Sequence, residues 1–332
     1  MEKIDVSKIH EDEPQSTLLY GEELIKEYKY TIIIPTYKRG DKFFRSLYSA
    51  LNQDYDNYEI VIVDNDSDFN NQYIKEKLKE LNPSNVRYYK NNENLGAEGN
   101  FNRGLVLALG EYVTWLHDDD WLESNFLTQM NKKVKGSKAL YCFHTVNGKI
   151  DLSNSKIKNA IKYFLKLFYY LNPIKNKINI WDNFVGNYCI GVLGAIYNRA
   201  ALQIVGGFNK NYYPGTDYEL NMRYIKQNGG YLVNKILTNY GIEDNDSFTI
   251  AKTFAKFNFN LRIKMLEDKF VKNTKFNKKI VDFLFYNNVK SVKSSWNCES
   301  EMPNKEIKHQ NGISRIFLQF FLIIYRVLKF GR

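Results

Sequence analysis

The sequence has 332 residues, of which 44% are hydrophobic and 15% aromatic, and this composition excludes an intrinsically disordered chain. A formal net charge of +10 favours an anionic partner such as a nucleic acid, an acidic membrane surface or a phosphorylated substrate. Three cysteines without a CxxC pair indicate neither a disulfide framework nor a zinc site, as expected in a reducing cytosol. The acidic N-terminus predicts no signal peptide, and no apolar run reaches the roughly 20 residues of a membrane span.

The first half of the chain alternates apolar runs with helical patterns. After an extension with one short helix predicted near residues 22–28, we expect strands at residues 30–37, 58–63, 86–89 and 111–116. Helices are expected at residues 41–51, 73–81 and 101–109, and residues 91–99 are expected to form a loop. This order predicts an α/β fold with a doubly wound, mostly parallel sheet and helices on both faces.

Three adjacent carboxylates, Asp118, Asp119 and Asp120, follow the fourth predicted strand. Packed together at the end of an apolar strand, they repel one another and resist desolvation. A divalent cation would remove that penalty, and Mg²⁺ or Mn²⁺ prefers carboxylate oxygen. The alternative is a solvated acidic turn that stabilises the N-terminus of a helix predicted over residues 122–127.

Polar stretches also follow the other three predicted strands, at residues 35–36, 64–65 and 91–94. Parallel sheets bind ligands beyond the carboxyl ends of their strands, so four polar loops at one edge favour a ligand site over simple helix capping. The sequence contains neither GxGxxG nor GxxxxGK[ST]. A bound nucleotide diphosphate would therefore have to be neutralised by a metal rather than by a glycine-rich loop.

Five stretches, taken in chain order, resemble the motifs of family 2 glycosyltransferases of the GT-A fold. They are IPTYKR at residues 34–39, VIVDNDS at 61–67, NLG through NFNRG at 94–104, WLHDDDW at 115–121, and GGF followed by TDYEL within 206–220. The resemblance covers residues 30–237. Each motif alone is weak, but five in the family's order at plausible spacing are specific.

The resemblance implies an inverting enzyme that transfers a sugar from a nucleotide-diphosphate donor, with UDP as the commoner nucleotide, to a hydroxyl of a glycan or lipid-linked oligosaccharide. Because the QxxRW segment of processive members is absent, it implies the addition of a single sugar. It implies Asp217 as the catalytic base and Asp119 as the ligand of Mn²⁺ or Mg²⁺, with Asp118 and Asp120 completing or supporting the shell. The positions implied to bind the donor nucleotide are Pro35, Thr36, Tyr37, Arg39, Asp64, Asn65, Asn94, Gly96, Asn102 and Asp118.

The chain departs from the family pattern at several of these positions. His117 stands where the family usually has Asp, which leaves the main metal ligand among the three aspartates open. Thr216 and Glu219 also replace more common acids. The alternative for Asp217 is an ordinary N-cap of a helix predicted over residues 218–227. Arg223 is expected to pair with Glu219 at i,i+4 and to organise that helix.

We divide the chain into an N-terminal extension (1–29), a catalytic domain (30–255) and a basic helical C-terminal region (256–332). The catalytic domain comprises a nucleotide-sugar-binding half (30–121) and an acceptor half (122–255). In the acceptor half, strands are predicted at residues 141–146 and 189–197, and helices at residues 159–171 and 199–204.

The C-terminal region carries Lys-rich helical segments at residues 259–270 and 279–289, followed by an apolar tail at 313–332. Arg315, Gln319 and Arg326 interrupt the tail, so we predict a helix lying on an anionic membrane surface. The alternatives are packing against the catalytic domain and a homodimer seam. The expected location is the cytoplasm, peripheral on the inner face of the cell membrane.

Two functions of other classes are alternatives. The charge and the many tyrosines suggest a nucleic-acid-binding protein, but the sequence contains no recognised module of that kind, so we expect no nucleic-acid partner. The second is a catalytically inert partner subunit that binds a sugar nucleotide, against which the presence of both Asp119 and Asp217 argues.

Overall fold

The computed structural model describes residues 16–22, 26–68, 72–146, 176–186, 191–241, 251–305, 307 and 311–330. The strands in these residues are β1 (Ser16–Tyr20), β2 (Tyr30–Thr36), β3 (Tyr58–Asp64), β4 (Val86–Asn91), β5 (Tyr112–Trp115), β6 (Trp121–Leu122), β7 (Ala139–Val146), β8 (Lys177–Ile178), β9 (Ala195–Asn198) and β10 (Gly230–Tyr240). The α-helices are α1 (Phe43–Leu51), α2 (Gln72–Leu81), α3 (Gly96–Leu107), α4 (Phe126–Asn131), α5 (Ile180–Gly186), α6 (Arg199–Val205), α7 (Thr216–Asn228), α8 (Ala251–Glu267), α9 (Lys275–Trp296) and α10 (Gly312–Phe330).

The strands form one mixed sheet, in the order β1-β4-β3-β2-β5-β9-β7-β10-β6, with β8 paired to β10. Its centre, β4-β3-β2-β5, is parallel, whereas β1 and β9 add antiparallel on either side. Every residue of β2 and β3 is buried, as expected for β-branched strands covered on both faces. The predicted α/β architecture with a mostly parallel central sheet is therefore confirmed.

Alternate residues of the central strands point into two separate cores. Ile32 and Ile60 pack with helices α1, α2 and α4 on one face, whereas Ile33 and Val113 pack with α3, α6 and α7 on the other. Helices α8, α9 and α10 share a third core with α5 and one side of α7. Within the described residues, no helix has the length and apolar character needed to cross a bilayer.

Two predictions near the carboxyl edge of the sheet are wrong. Helix α3 begins at Gly96, within the expected loop, because side-chain oxygens of Asn65 and Asn94 accept the N–H groups of Leu95 and Gly96 where the helix starts. Residues 121–122 are not helical but form β6, which pairs with β10, and the helix starts only at residue 126. Contacts between residues distant in sequence contribute to both errors, since Asn65 is 30 residues from Leu95 and β10 is more than 100 residues from β6.

The N-terminal segment and the acceptor half differ from expectation in other ways. Ser16–Tyr20 is an edge strand rather than unpatterned extension, while residues 22 and 26–28 are not helical. Strand β9 starts at Ala195, later than predicted, although Leu193 makes an isolated bridge to Trp115. The helix predicted over residues 159–171 lies outside the described residues. The proposed domain boundaries stay predictions.

A buried ion pair joins the C-terminal helix α10 to α5. Asp182 on α5 is fully buried and accepts hydrogen bonds from the Lys329 ammonium and the Tyr325 hydroxyl of α10. The backbone carbonyl of Lys329 also accepts the N–H of Asn176 at 2.9 Å. The last turns of α10 are thereby held against α5.

Lys329→Met is expected to lower the free energy of unfolding by about 3–5 kcal/mol, because it leaves the Asp182 carboxylate buried without its counter-ion. Urea denaturation at neutral pH measures the change. The matched control is Lys305→Met, whose partner Glu267 is as exposed as Lys305 itself, and it should cost no more than about 1 kcal/mol. Equal losses for the two variants would contradict a stabilising role for the buried pair.

Candidate active site

The acidic trio lies between β5 and β6, at the carboxyl edge of the parallel strands, and all three aspartates are buried. Its backbone is held from α1, where Arg45 donates to the carbonyl of Asp119 and Ser46 to that of Asp120. On the other side, the N–H of Gly241 donates to Asp120 Oδ1 at 2.8 Å. A Cβ at Gly241 would lie 2.3 Å from the Asp119 carbonyl oxygen, so only glycine fits at this position. The trio is thus fixed by residues far apart in sequence.

Arg39 compensates the charge of two of the three carboxylates. Its Nε lies 2.8 Å from Asp118 Oδ1, and one of its terminal nitrogens lies 3.2 Å from Asp119 Oδ2. Burial nevertheless raises the pKa of both carboxyls above the ordinary value, because desolvation outweighs the attraction of the Arg39 guanidinium. The two carboxylates therefore lie in an environment that favours additional positive charge.

His117 faces the third carboxylate, with its Nδ1 2.8 Å from Asp120 Oδ2. Burial by itself would lower the pKa of the imidazole, but the hydrogen bond to Asp120 and the charges of Asp120, Asp119 and Asp118 raise it to about 9. At neutral pH and without a bound cation, His117 is therefore an imidazolium that balances part of the acidic charge.

The side chains of His117, Asp119 and Asp120 fit a divalent cation. One ligand atom from each lies within 4.8 Å of the others, and two of the three are carboxylate oxygens. This donor set suits Mn²⁺ or Mg²⁺, provided that His117 has lost its proton. Asp118, which makes the shorter contact with Arg39, is not part of this convergent group. The geometry thus favours Asp119 and Asp120 over Asp118 as the metal ligands.

Asp217 enters the site from the N-terminus of α7. Gly215 is the N-cap of this helix, so Asp217 is the second helical residue and not the cap. Its Oδ1 accepts the N–H of Tyr218 at 2.6 Å, and Oδ2 lies beside Gly191, where a Cβ would be 3.2 Å away. Burial raises the pKa of this carboxyl, whereas the positive charge on His117 lowers it in part. Gly191 belongs to the segment that bridges to the end of β5, so Asp217 lies near the strand that carries the acidic trio.

The remaining motif residues on α7 support this arrangement. Glu219 and Arg223 are buried and joined by a bidentate ion pair, as predicted from their spacing. Arg223 also donates to the carbonyls of Val205, Gly206 and Gly207. Arg223 therefore ties α7 to the GGF segment and has a structural role.

Asn102 on α3 forms hydrogen bonds with the same GGF segment. Its amide donates to the carbonyl of Phe208 and accepts the N–H of Phe208, at 2.9 and 2.7 Å. Gly207 allows this close approach, because a Cβ there would lie 2.0 Å from the Asn102 oxygen. Phe208 in turn packs against Phe101 and Trp115, and Phe101 contacts the ring of His117. The two halves of the site are joined through this aromatic cluster.

The other predicted donor-binding residues lie along the same edge in different environments. Pro35 and Thr36 end β2 opposite Val63 and Asp64, and Tyr37 is exposed beside them. Asp64 is fully buried and accepts hydrogen bonds from the Tyr88 hydroxyl and the N–H of Asp66.

The side chain of Asn65 forms hydrogen bonds within the neighbouring loop, with Asn91, Asn94, Leu95 and Gly96. It therefore shapes the loop that starts α3. Whether Asp64, Asn65 and Asn102 also contact a donor stays a prediction, as do the roles of the other donor-binding positions.

Sequence patterns did not identify Arg45, Ser46, Gly191 or Gly241 as parts of this site. Arg45, which is exposed, and Ser46, which is buried, lie in the first turn of α1, whose sequence has an ordinary amphipathic pattern. Gly241 follows the aspartates of the site by about 120 residues. Only the proximity created by the fold reveals their roles.

The fold is of the GT-A type found in nucleotide-sugar-dependent glycosyltransferases. The chain superimposes on residues 1–349 of TarS from S. aureus, crystallised with UDP-GlcNAc, with a TM-score of 0.55 and 18% identity, over 79% of this chain and 73% of that chain. A sequence model of glycosyl transferase family 2 matches residues 31–203. The chain belongs to glycosyl transferase family 2, as the motif resemblance predicted.

Two curated bacterial relatives match shorter segments. WcaA of Escherichia coli, a glycosyl transferase assigned provisionally to colanic acid biosynthesis, is 30% identical over 157 residues, 46% of this chain and 56% of WcaA. The GalNAc(5)-diNAcBac-PP-undecaprenol beta-1,3-glucosyltransferase of Campylobacter jejuni is 34% identical over 107 residues, 32% of this chain and 34% of that protein. The matched segments thus span between a third and somewhat more than half of these relatives.

Proposed function

We propose that this chain is a glycosyltransferase that moves one sugar from a UDP-sugar donor to an acceptor hydroxyl, with inversion at the anomeric carbon and dependence on Mn²⁺ or Mg²⁺. The observation that carries the proposal is a buried acidic trio at the carboxyl edge of the sheet together with the carboxylate of Asp217, which lies at the start of α7 with its Oδ2 beside Gly191. Membership of glycosyl transferase family 2 supports the same reaction class.

On the donor side, Asp119 and Asp120, with His117, would hold the cation. The cation, when bound, would supply positive charge to the diphosphate leaving group. Arg39, which lies against Asp118 and Asp119, would also contact a phosphate of the donor. Thr36 and Tyr37, at the end of β2, are proposed to line the pocket for the nucleoside.

On the acceptor side, Asp217 would remove the proton of the attacking hydroxyl as a general base. The N–H of Tyr218 and the wall formed by Gly191 fix the orientation of this carboxylate. Its raised pKa brings its basicity closer to neutral pH, which suits proton transfer. Because a single displacement occurs from the face opposite the leaving group, the product would have the inverted configuration.

The proposed acceptor is a glycan or a lipid-linked oligosaccharide. The Campylobacter jejuni relative is named for an undecaprenol-diphosphate-linked acceptor, and this name supports a lipid-linked substrate here. We place the reaction in the cytoplasm, on the inner face of the cell membrane, where such an acceptor would be presented. An inert donor-binding subunit would have no use for the Asp217 carboxylate that the N–H of Tyr218 holds in place.

A screen of nucleotide sugars tests this proposal. Donor hydrolysis without acceptor, measured as release of the nucleoside diphosphate, is expected with one or a few UDP-sugars and to require Mn²⁺ or Mg²⁺. Addition of EDTA should abolish it. Absence of hydrolysis and of binding across UDP-, GDP- and dTDP-sugars would contradict the proposal, and salt-sensitive RNA binding instead would favour the nucleic-acid alternative.

A further inference from the structure

Helix α10 exposes an unusual row of large apolar side chains. Ile313, Ile316, Phe317, Phe320 and Ile324 follow one another at helical spacing and are all exposed, Ile313 by 81% and Phe317 by 60%. The opposite face of α10 is packed against the C-terminal core. Scattered exposed apolar residues are ordinary, but a continuous row marks a surface that contacts another apolar phase.

The net positive charge of the protein comes from the C-terminal part of the sequence that includes this row. Residues 251–332 contain 17 Lys and Arg against 6 Asp and Glu, whereas the preceding 250 residues contain 30 against 31. Helix α10 itself has no acidic residue. The start of α9 touches α10 where Phe276 meets Phe321. Lys275 and Lys278 are exposed on this first part of α9, and exposed Lys272 precedes the helix. The exposed apolar row is thus flanked by positive charge.

The position of this surface is fixed relative to the proposed catalytic base. The Asp182–Lys329 pair holds α10 against α5. Helix α5 in turn bonds to α7, because the Tyr218 hydroxyl donates to the carbonyl of Asn183 at 2.7 Å. Tyr218 is the residue next to Asp217. Whatever binds α10 is therefore mechanically connected to the acceptor side of the site.

We propose that the exposed face of α10, together with the lysines at the start of α9, docks on an anionic lipid bilayer. The apolar row would enter the acyl boundary while the lysines contact the headgroups. The inference rests on the proposed function, because docking would hold the catalytic domain at the membrane surface that presents a lipid-linked acceptor.

A second copy of the chain is a poorer occupant of this surface. The row spans twelve residues, from Ile313 to Ile324, so it is about 17 Å long and about 10 Å wide, an area of about 170 Å². A stable protein interface buries about 800 Å² on each partner. Two such faces would also bring their lysines together, and like charges repel. An anionic bilayer meets both the shape and the charge of the surface.

Vesicle flotation tests the proposal with the full chain and no substrate. We expect binding to phosphatidylcholine vesicles that contain phosphatidylglycerol, weak binding without that lipid, and weakening by salt. The variant Ile313→Ser/Ile316→Ser/Phe320→Ser should reduce the bound fraction at least about tenfold. Because the three side chains are exposed, its thermal unfolding should match that of the wild type. The matched control is Ile204→Ser, an equally exposed apolar residue on α6, which should bind as the wild type does.

Two results would overturn the proposal. The first is that flotation does not depend on the apolar row: either the wild-type chain does not float with anionic vesicles, or the triple variant floats as well as the wild type. The second is a dimer, detected by light scattering, that the triple variant converts to monomer without any vesicle binding, since a second copy would then be the occupant. Donor hydrolysis in detergent-free buffer is measured in parallel, and it should be equal in all variants. Failure of docking and failure of the proposed enzymatic function are therefore distinguished.

Discussion

Asp217→Asn is expected to reduce kcat about 10³-fold while the affinity for the donor is unchanged. General-base catalysis contributes about 10²–10⁴-fold, and the amide cannot accept the proton of the acceptor hydroxyl. The fold should be kept, because the amide oxygen can still accept the N–H of Tyr218. Steady-state kinetics with a reactive donor–acceptor pair, and donor titration by calorimetry, measure the two quantities.

The matched control is Asp56→Asn, which makes the same chemical change at an exposed position before β3, at the opposite end of that strand from the site. It should leave kcat unchanged. Turnover by Asp217→Asn within a few-fold of the wild type would exclude the assigned base. Equal loss in both variants would point to an effect of net charge.

The pH profile gives the same prediction a second readout. Burial raises the pKa of Asp217 above 3.8, so kcat/KM of the wild type should fall as the pH drops through that raised value. Asp217→Asn should lack this acid limb.

The raised pKa of Asp217 also affects the stability of the protein. A carboxyl with a raised pKa in the folded state stabilises the fold when protonated, and this contribution is lost as the pH rises through the raised value. The Asn variant should therefore be as stable as the wild type at neutral pH, or more stable.

Asp119→Asn is expected to abolish the strengthening of donor binding by Mn²⁺. Asp119 belongs to the group whose ligand atoms converge, together with Asp120 and His117. Substitution of a residue that forms a hydrogen bond with a metal ligand costs about 10–100-fold in metal affinity. The loss of a direct ligand should therefore cost at least as much. Calorimetric titration of UDP with Mn²⁺ and with EDTA measures the effect.

Asp118→Asn is the matched comparison, because Asp118 is the neighbouring buried acid and pairs with Arg39 rather than joining the convergent group. It should retain most of the Mn²⁺ effect. The reverse ranking, with Asp118→Asn losing the effect and Asp119→Asn keeping it, would transfer the ligand role to Asp118.

The sequence predicted the donor half of the fold more closely than the acceptor half. Strands β2 and β3 consist almost wholly of apolar and β-branched residues, and a run of that kind predicts its own structure with little help from neighbours. Strand β10 is less regular, with exposed residues in its middle, and it gains its conformation by pairing with β6, β7 and β8. Pairings of this sort leave no local signal.

The proposed site was also predictable from the sequence only in part. The three aspartates could be located because they directly follow a predicted strand, and Asp217 was found through a motif resemblance. How the acidic charge is balanced could not be predicted, because Arg39 reaches Asp118 and Asp119 across about 80 residues of sequence. The N-cap interpretation of Asp217 was wrong by two residues, since Gly215 occupies that position.

The order of amino acids alone specified the alternation of strands and helices, the acidic trio at the end of a strand, and the basic, amphipathic tail. These features depend on hydrophobic periodicity and on neighbours within a few residues. The tertiary structure decided which charges meet, which backbone groups hold the aspartates, and which face of α10 stays exposed. Each of these depends on side chains that are distant in sequence, so they become defined only when the hydrophobic cores close and bring those side chains into contact.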